Sequence, residues 1–257
     1  MIRTAVKIAY LGEGFSGSQI QPGARTVEGE VLSALGKICR VSKEESDLRL
    51  ASRTDRGVNA LGNVAVFNTP LEDQTVLLKA LNAVSGGVFY RSIATVGLDF
   101  NPRHADRRLY RYVLQDDGID ADAARTCAGL FEGEHDFARF CKADGKLTTL
   151  TIDSVNVWKD GGLIIIDFAA RYYLWNMVRR MTAAIAAVGR GDASLFDVEG
   201  ALSGEDVGFG LARADALTLR DVVYDGLDFI EHDGLFDDRV REELFRDGLR
   251  RSFFASL

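Results

Sequence analysis

Alternation of large apolar residues with small or charged ones defines the first element of the chain. From Thr4 to Leu11, Val6, Ile8 and Tyr10 share one face while Ala5, Lys7 and Ala9 share the other, the period-two pattern of a strand. A loop with Gly12, Gly14, Gly17 and Gly23 follows. Thr26 then suits a helix N-cap, Glu28 and Glu30 suit the positive first turn, and Val27, Val31, Leu35 and Ile38 keep helical spacing. Strands are predicted around Leu48–Ser52 and Asn63–Asn68, a helix from Asp73 to Val84 that buries Leu77, Leu78 and Leu81, and a strand from Val88 to Val96. The order strand, helix, strand, strand, helix, strand is that of a split βαβ unit of the ferredoxin-like kind.

A second cycle repeats the scheme. Leu109–Leu114 reads as a strand and Ala121–Leu130 as a helix. Thr151–Trp158 and Leu163–Ala169 form a predicted hairpin turning at Asp160-Gly161-Gly162. Leu174 to Val188 has a strong helical pattern, with Gly189 as its stop, and a strand near Leu217–Tyr224 and a charged helix close the chain. The expected fold class is α+β. Two ferredoxin-like halves, 1–103 and 104–257, would form one continuous, mostly antiparallel sheet, with helices on one face and an active-site cleft between the halves.

Composition changes this picture little. Of 257 residues, 47% are hydrophobic and 27% charged, and there are only 3 prolines, which suits a globular chain with no proline-rich linker. The net charge of −7 argues against a broadly basic nucleic-acid surface. The cations are unevenly spread, however. Arg103, Arg107, Arg108 and Arg111 cluster in one stretch and Arg171, Arg179, Arg180 and Arg190 in another, while acids gather between Asp225 and Asp247. Cys39, Cys127 and Cys141 form no CxxC pair, which fits a reducing, cytoplasmic setting. His104, His135 and His232 stand in separate contexts, against a zinc site or a histidine-based triad. No metal, cofactor or membrane partner is expected.

Chemistry concentrates in Ala51-Ser52-Arg53-Thr54-Asp55-Arg56-Gly57-Val58-Asn59-Ala60. Spacing alone would make this a surface turn, the commoner use of Asp-x-Gly. The stretch resembles the TruA family signature, in which Gly-Arg-Thr-Asp precedes Gly-Val-His-Ala, with Ser52 and Asn59 at the glycine and histidine positions. Further resemblance runs in order along the chain: Tyr10-Leu11-Gly12 with Phe15 to Gln21, Arg108 to Tyr112, Gly133 to Phe140, Trp175 to Arg180, and Ala212 to Leu219. In the last of these, Arg213 and Ala216 depart from the usual proline and glycine.

The resemblance implies a tRNA pseudouridine synthase acting at positions 38, 39 and 40 of the anticodon stem-loop, as a homodimer and without cofactor. It implies Asp55 as nucleophile, Tyr110 stacking on the flipped uracil, and Arg179 as the partner that keeps Asp55 charged. Substrate contacts would come from Arg53, Arg103, Arg108 and Arg111. The physics is coherent: at ~4 Å and an effective dielectric near ~20, a guanidinium attracts a carboxylate by about 4 kcal/mol, whereas an exposed pair contributes only ~0–1 kcal/mol. Burial therefore decides what the Asp55–Arg179 pair is worth. A non-catalytic RNA-binding module would not need Asp55, Tyr110 and Arg179 together. A small-molecule enzyme using one carboxylate would leave the arginine clusters unexplained.

Overall fold

The computed structural model describes residues 1–232 and 234–255, so the last two positions of the expected second half lie outside the described residues. The elements are β1 (Ile2–Tyr10), α1 (Val27–Cys39), α2 (Lys43–Ser46), β2 (Arg49–Leu50), β3 (Asn59–Thr69), α3 (Gln74–Val84), β4 (Val88–Thr95), β5 (Arg107–Gln115), α4 (Ala121–Gly129), β6 (Gly133–Asp136), β7 (Thr149–Ile152), β8 (Ser154–Asp160), β9 (Leu163–Ala170), α5 (Met177–Arg190), α6 (Leu195–Leu202), β10 (Leu217–Val223), β11 (Ile230–Glu231) and α7 (Asp237–Ala255). The caps behave as their residue types require. Thr26 and Asp73 accept from the backbone N–H groups of Gly29 and Val76, satisfying donors that a first helical turn leaves free.

The main sheet runs β11-β4-β1-β3-β10-β5-β9-β8, with β2 added to β3, while β6 and β7 pair apart. Every pairing is antiparallel except β3 with β10. Strands β4-β1-β3-β2 and β10-β5-β9-β8 follow the same permutation of chain order. The two groups meet because β3 serves both. Its later residues Ala65 and Val66 pair with β2, and its first residues Asn59 and Ala60 pair with Thr218 and Leu219 of β10.

Register fixes what each face carries. Tyr10 lies opposite Ala60, Ala60 beside Leu219, and Leu219 opposite Tyr110, so all four share one face. On that face α1 and α3 cover β1 and β4 through Val31, Leu35, Leu77, Leu78 and Leu81, all fully buried. Over the other strand group, α4 packs on β8 and α5 packs on α4. Not every helix obeys this arrangement. Phe89 points to the opposite face from Tyr90, and α7 begins there, with the Phe236 ring 5.7 Å from that of Phe89 and the Arg239 guanidinium 4.1 Å above it.

Three sequence expectations need revision. The predicted strand Thr151–Trp158 breaks at Asp153, so that β7 pairs with β6 and only β8 joins the main sheet. The helix predicted from Leu174 begins at Met177, because Asn176 adopts φ 65 and ψ 2, a left-handed conformation that ends the preceding extended chain. Gly189 does not stop that helix; Gly191 does, at φ 77. A Cβ on Gly189 would lie 2.7 Å from Ile119 Cγ2, so this glycine permits close packing instead.

At the β3–β10 junction, a Cβ on Gly62 would lie 2.7 Å from the carbonyl oxygen of Arg220 and 3.0 Å from Cα of Asp221. Gly62→Ala should therefore push the two strand groups apart and cost about 1–3 kcal/mol, as overpacking does. Thermal unfolding checks this, and an unchanged midpoint would show that the junction has slack.

Candidate active site

The loop carrying Asp55 links β2 to β3 and is a turn, as its composition indicates. Val58 N–H donates to the Asp55 carbonyl at 3.1 Å, and Gly57 takes φ 87 at the third position, where a side chain would be strained. The turn is strapped to the core from beneath. Thr54 N–H donates to Ser18 Oγ at 2.8 Å, Thr54 Oγ1 pairs with the Tyr10 hydroxyl at 2.9 Å, and Asn63 bonds both Tyr10 and the backbone of Ser52. Burial pushes the Tyr10 phenol up, so it remains a neutral strut. The glycine-rich loop thus supports the Asp55 turn: Gly12 packs so tightly that a Cβ there would lie 2.3 Å from the Gly57 carbonyl carbon.

The departures at Ser52 and Asn59 have structural uses. Ser52 Oγ accepts from Arg108 Nε at 2.9 Å. Asn59 accepts from Gly12 N–H through Oδ1 and donates from Nδ2 to the Asp215 carbonyl, both at 2.8 Å, tying the Asp55 loop to the segment before β10. At the other departures, Arg213 pairs with Asp215 on the surface while its carbonyl accepts from the Tyr112 hydroxyl.

A cleft of about 880 Å³ opens above this turn, walled by residues from both strand groups, among them Asp55, Tyr110 and Arg179. Arg179, from the first turn of α5, is only 15% exposed and anchors through Nε to the Ala212 carbonyl at 2.7 Å. Its Nη1 lies 3.5 Å from Asp55 Oδ2. Asp55 itself is 37% exposed, so the pair is only half buried and solvent screens it in the free protein. The attraction expected for a buried pair therefore requires something to cover the cleft. Tyr110 is 8% exposed and meets Tyr173 edge to face, with ring centroids 5.2 Å apart. Burial pushes its phenol well above the usual range, with Tyr10 nearby adding to the effect.

Other predicted residues separate into two groups. Arg53 and Arg103 are exposed on the cleft wall and available to a ligand. Arg108 lines the cleft but is 7% exposed and fully engaged, donating to Ser52 Oγ and to the carbonyls of Ala51, Arg103 and Arg171. It is a strut between the two strand groups, not a free phosphate contact. Arg111 is a correction, because the strand pleat puts it on the opposite sheet face from Tyr110. There it makes a bidentate pair with Asp167 at 2.7 Å and stacks on Trp158. Outside the cleft lining, His135 bonds the Glu132 carbonyl and Asp136 caps Ala138 N–H.

Charge around the cleft differs from the chain average. Arg53, Arg56, Arg103, Arg108, Arg179 and Lys146 line it against only Asp55 and Asp144. Among the described residues, no group of His, Cys, Asp and Glu could hold a metal ion. Two residues missed by the sequence reading also reach the site. Trp175 Nε1 donates to Asp55 Oδ1 at 3.1 Å, and Tyr173 packs on Tyr110. The place of Trp175 at the head of the motif that carries Arg179 was the available signal.

Comparison with known proteins decides the family. Residues 127–225 match the family described as tRNA pseudouridine synthase. The chain is 38% identical over 259 residues to tRNA pseudouridine synthase A of Pyrococcus abyssi, covering 98% of this chain and 97% of that protein. This chain belongs to the tRNA pseudouridine synthase A family. The same-named protein of Pyrococcus horikoshii is 37% identical over 98% of this chain and 97% of its own length, and that of Thermococcus sibiricus 37% over 98% and 96%. Membership makes the chain a pseudouridine synthase, an isomerase. In this family member the strut Arg108 should matter for stability. Arg108→Met would leave four acceptors without this donor, two of them buried, and cost on the order of 3 kcal/mol. Chemical denaturation measures it; a loss below about 1 kcal/mol would mean that water replaces the guanidinium.

Proposed function

We propose that this chain converts uridine to pseudouridine at positions 38, 39 and 40 of the tRNA anticodon stem-loop, with Asp55 as nucleophile. The observation that carries the reading is the meeting of Asp55 with Arg179 and Tyr110 in one cleft, from opposite sides of the β3–β10 junction. The reaction breaks the bond from N1 to C1′, turns the uracil, and joins C5 to C1′. The C5 proton leaves and N1 gains one. No electrons are exchanged with a second substrate, so the demand is for a nucleophile that forms and releases a covalent bond, which an ionised carboxylate meets.

The base must leave the helical stack to reach Asp55. In this reading Tyr110 covers the flipped uracil; stacking on an aromatic ring is worth ~1–3 kcal/mol. The upward push on its phenol favours a neutral, stacking role over that of a base. The bound nucleotide itself would exclude water from the half-open Asp55–Arg179 pair and strengthen it when the chemistry needs it. Arg53 and Arg103 would hold backbone phosphates, with shape rather than base edges read out.

We further propose that 1–103 and 104–257 are two ferredoxin-like halves, a reading supported by their common strand order. A homodimer would lengthen the basic cleft, which suits a chain of net charge −7. Three free cysteines suit the cytoplasm.

The test is tritium release from tRNA whose uridines are labelled at C5. Wild-type protein should release label, whereas Asp55→Ala and Asp55→Asn should release none while binding tRNA within a few-fold of wild type. Release by Asp55→Ala would overturn the mechanism. Arg53→Ala and Arg103→Ala should each flatten the salt dependence of binding by about one unit of slope. Arg111→Ala should leave it unchanged, and a flattened slope in that variant would show that the far sheet face meets RNA.

A further inference from the structure

Each oxygen of the Asp55 carboxylate meets a different donor. Oδ2 faces Arg179 Nη1 at 3.5 Å and Oδ1 accepts Trp175 Nε1–H at 3.1 Å. The shorter, better-formed bond is the one to the indole. Asp55 sits in a tight turn but its side chain is 37% exposed, so nothing in its own loop stops the carboxylate rotating toward solvent. A single donor would leave it free to pivot. Two donors on two oxygens fix its plane.

The sequence builds this clamp economically. Trp175 and Arg179 flank Asn176, whose left-handed backbone turns the chain from the extended Tyr172–Trp175 stretch into α5. Asn176 Oδ1 also accepts from Arg179 Nη1 at 3.4 Å, joining the two arms. Trp175 is itself held from behind. Its carbonyl accepts Lys142 N–H at 2.8 Å, and Lys142 Nζ lies 4.1 Å from the indole centroid. A cation over the ring withdraws electron density, making the indole N–H a stronger donor. The indole nevertheless remains 48% exposed, more than a core tryptophan would be.

We propose that Trp175 is a positioning residue for the isomerisation, holding Asp55 Oδ1 so that the carboxylate presents a fixed edge to the flipped uridine. This rests on the reading of Asp55 as nucleophile. The clamp does not block attack, because an ionised carboxylate has about four acceptor sites and the two donors occupy only two. Misplacing a reacting atom by about 1 Å costs on the order of 10²-fold in rate, so a loosened but still present carboxylate should lose turnover and keep affinity.

The experiment compares Trp175→Phe, which keeps a ring and loses the N–H, with Trp175→His, whose Nε2–H reaches nearly as far. With C5-labelled tRNA, Trp175→Phe should lower kcat about tenfold with KM within twofold, and Trp175→His should recover most of the loss. Unchanged kcat in Trp175→Phe, a rise in KM alone, or no recovery by histidine would overturn the proposal. A second measurement is independent of turnover. Trp158 lies on the far sheet face, so Trp158→Phe leaves Trp175 as the sole indole N–H in a proton–nitrogen correlation spectrum. Adding Asp55→Ala in that background should move its proton signal upfield, and an unmoved signal would show that the hydrogen bond is absent. Release of label by Asp55→Ala would instead defeat the nucleophile reading, whatever the Trp175 variants do.

Discussion

Two parallel residue pairs, Thr218 with Asn59 and Leu219 with Ala60, hold the working geometry of this chain together. β3 begins immediately after the Asp55 turn, and β10 follows the segment whose Ala212 carbonyl anchors Arg179. The carboxylate is therefore a few residues from the seam, and its guanidinium is anchored to a carbonyl a few residues from the same seam. Asn59 adds a side-chain stitch from Gly12 to Asp215, and Arg108 a buried one from β5 to Ala51 and Ser52. A shift of one strand group relative to the other would move Asp55 away from Arg179.

The seam also accounts for how an acidic chain meets an anionic substrate. Cations from both groups converge on the cleft, while much of the charge on the far face is self-paired, as in Arg111 with Asp167 and Lys7 with Asp221. Local field, not net charge, governs approach to a cleft. The half-exposed Asp55–Arg179 pair fits the same logic. On the proposed reading, a pair sealed in advance would resist entry of the base, whereas an open one would gain strength as the nucleotide displaced water.

Much of this was legible in the sequence, and the reasons it stops are physical. Period-two and helical patterns located β1, α1, α3, β4 and β5 closely, since each carries large apolar residues in register on at least one face. Asp55, Tyr110 and Arg179 were nameable only through an ordered set of motifs, because Asp-x-Gly by itself marks a turn, and here it is a turn. Arg111 misled because a cluster in sequence is divided by the pleat: Arg108 and Tyr110 face the cleft and Arg111 cannot. Trp175 was missed because a helix predicted from Leu174 hides the left-handed Asn176, the residue that turns the indole and Arg179 toward one carboxylate. The break at Asp153 did leave a signal: the alternation changes phase there, from Leu150 and Ile152 to Val155 and Val157, with Asp153 and Ser154 between them.

The central claim is that Asp55 reacts only while Arg179, arriving across the seam, holds it aimed. Single-turnover conversion by Arg179→Ala, with tRNA affinity measured alongside, tests this most directly. The account predicts a conversion rate at least 100-fold below wild type with the dissociation constant changed by no more than a few-fold. A rate within about threefold of wild type, or a defect confined to tRNA binding, would contradict it.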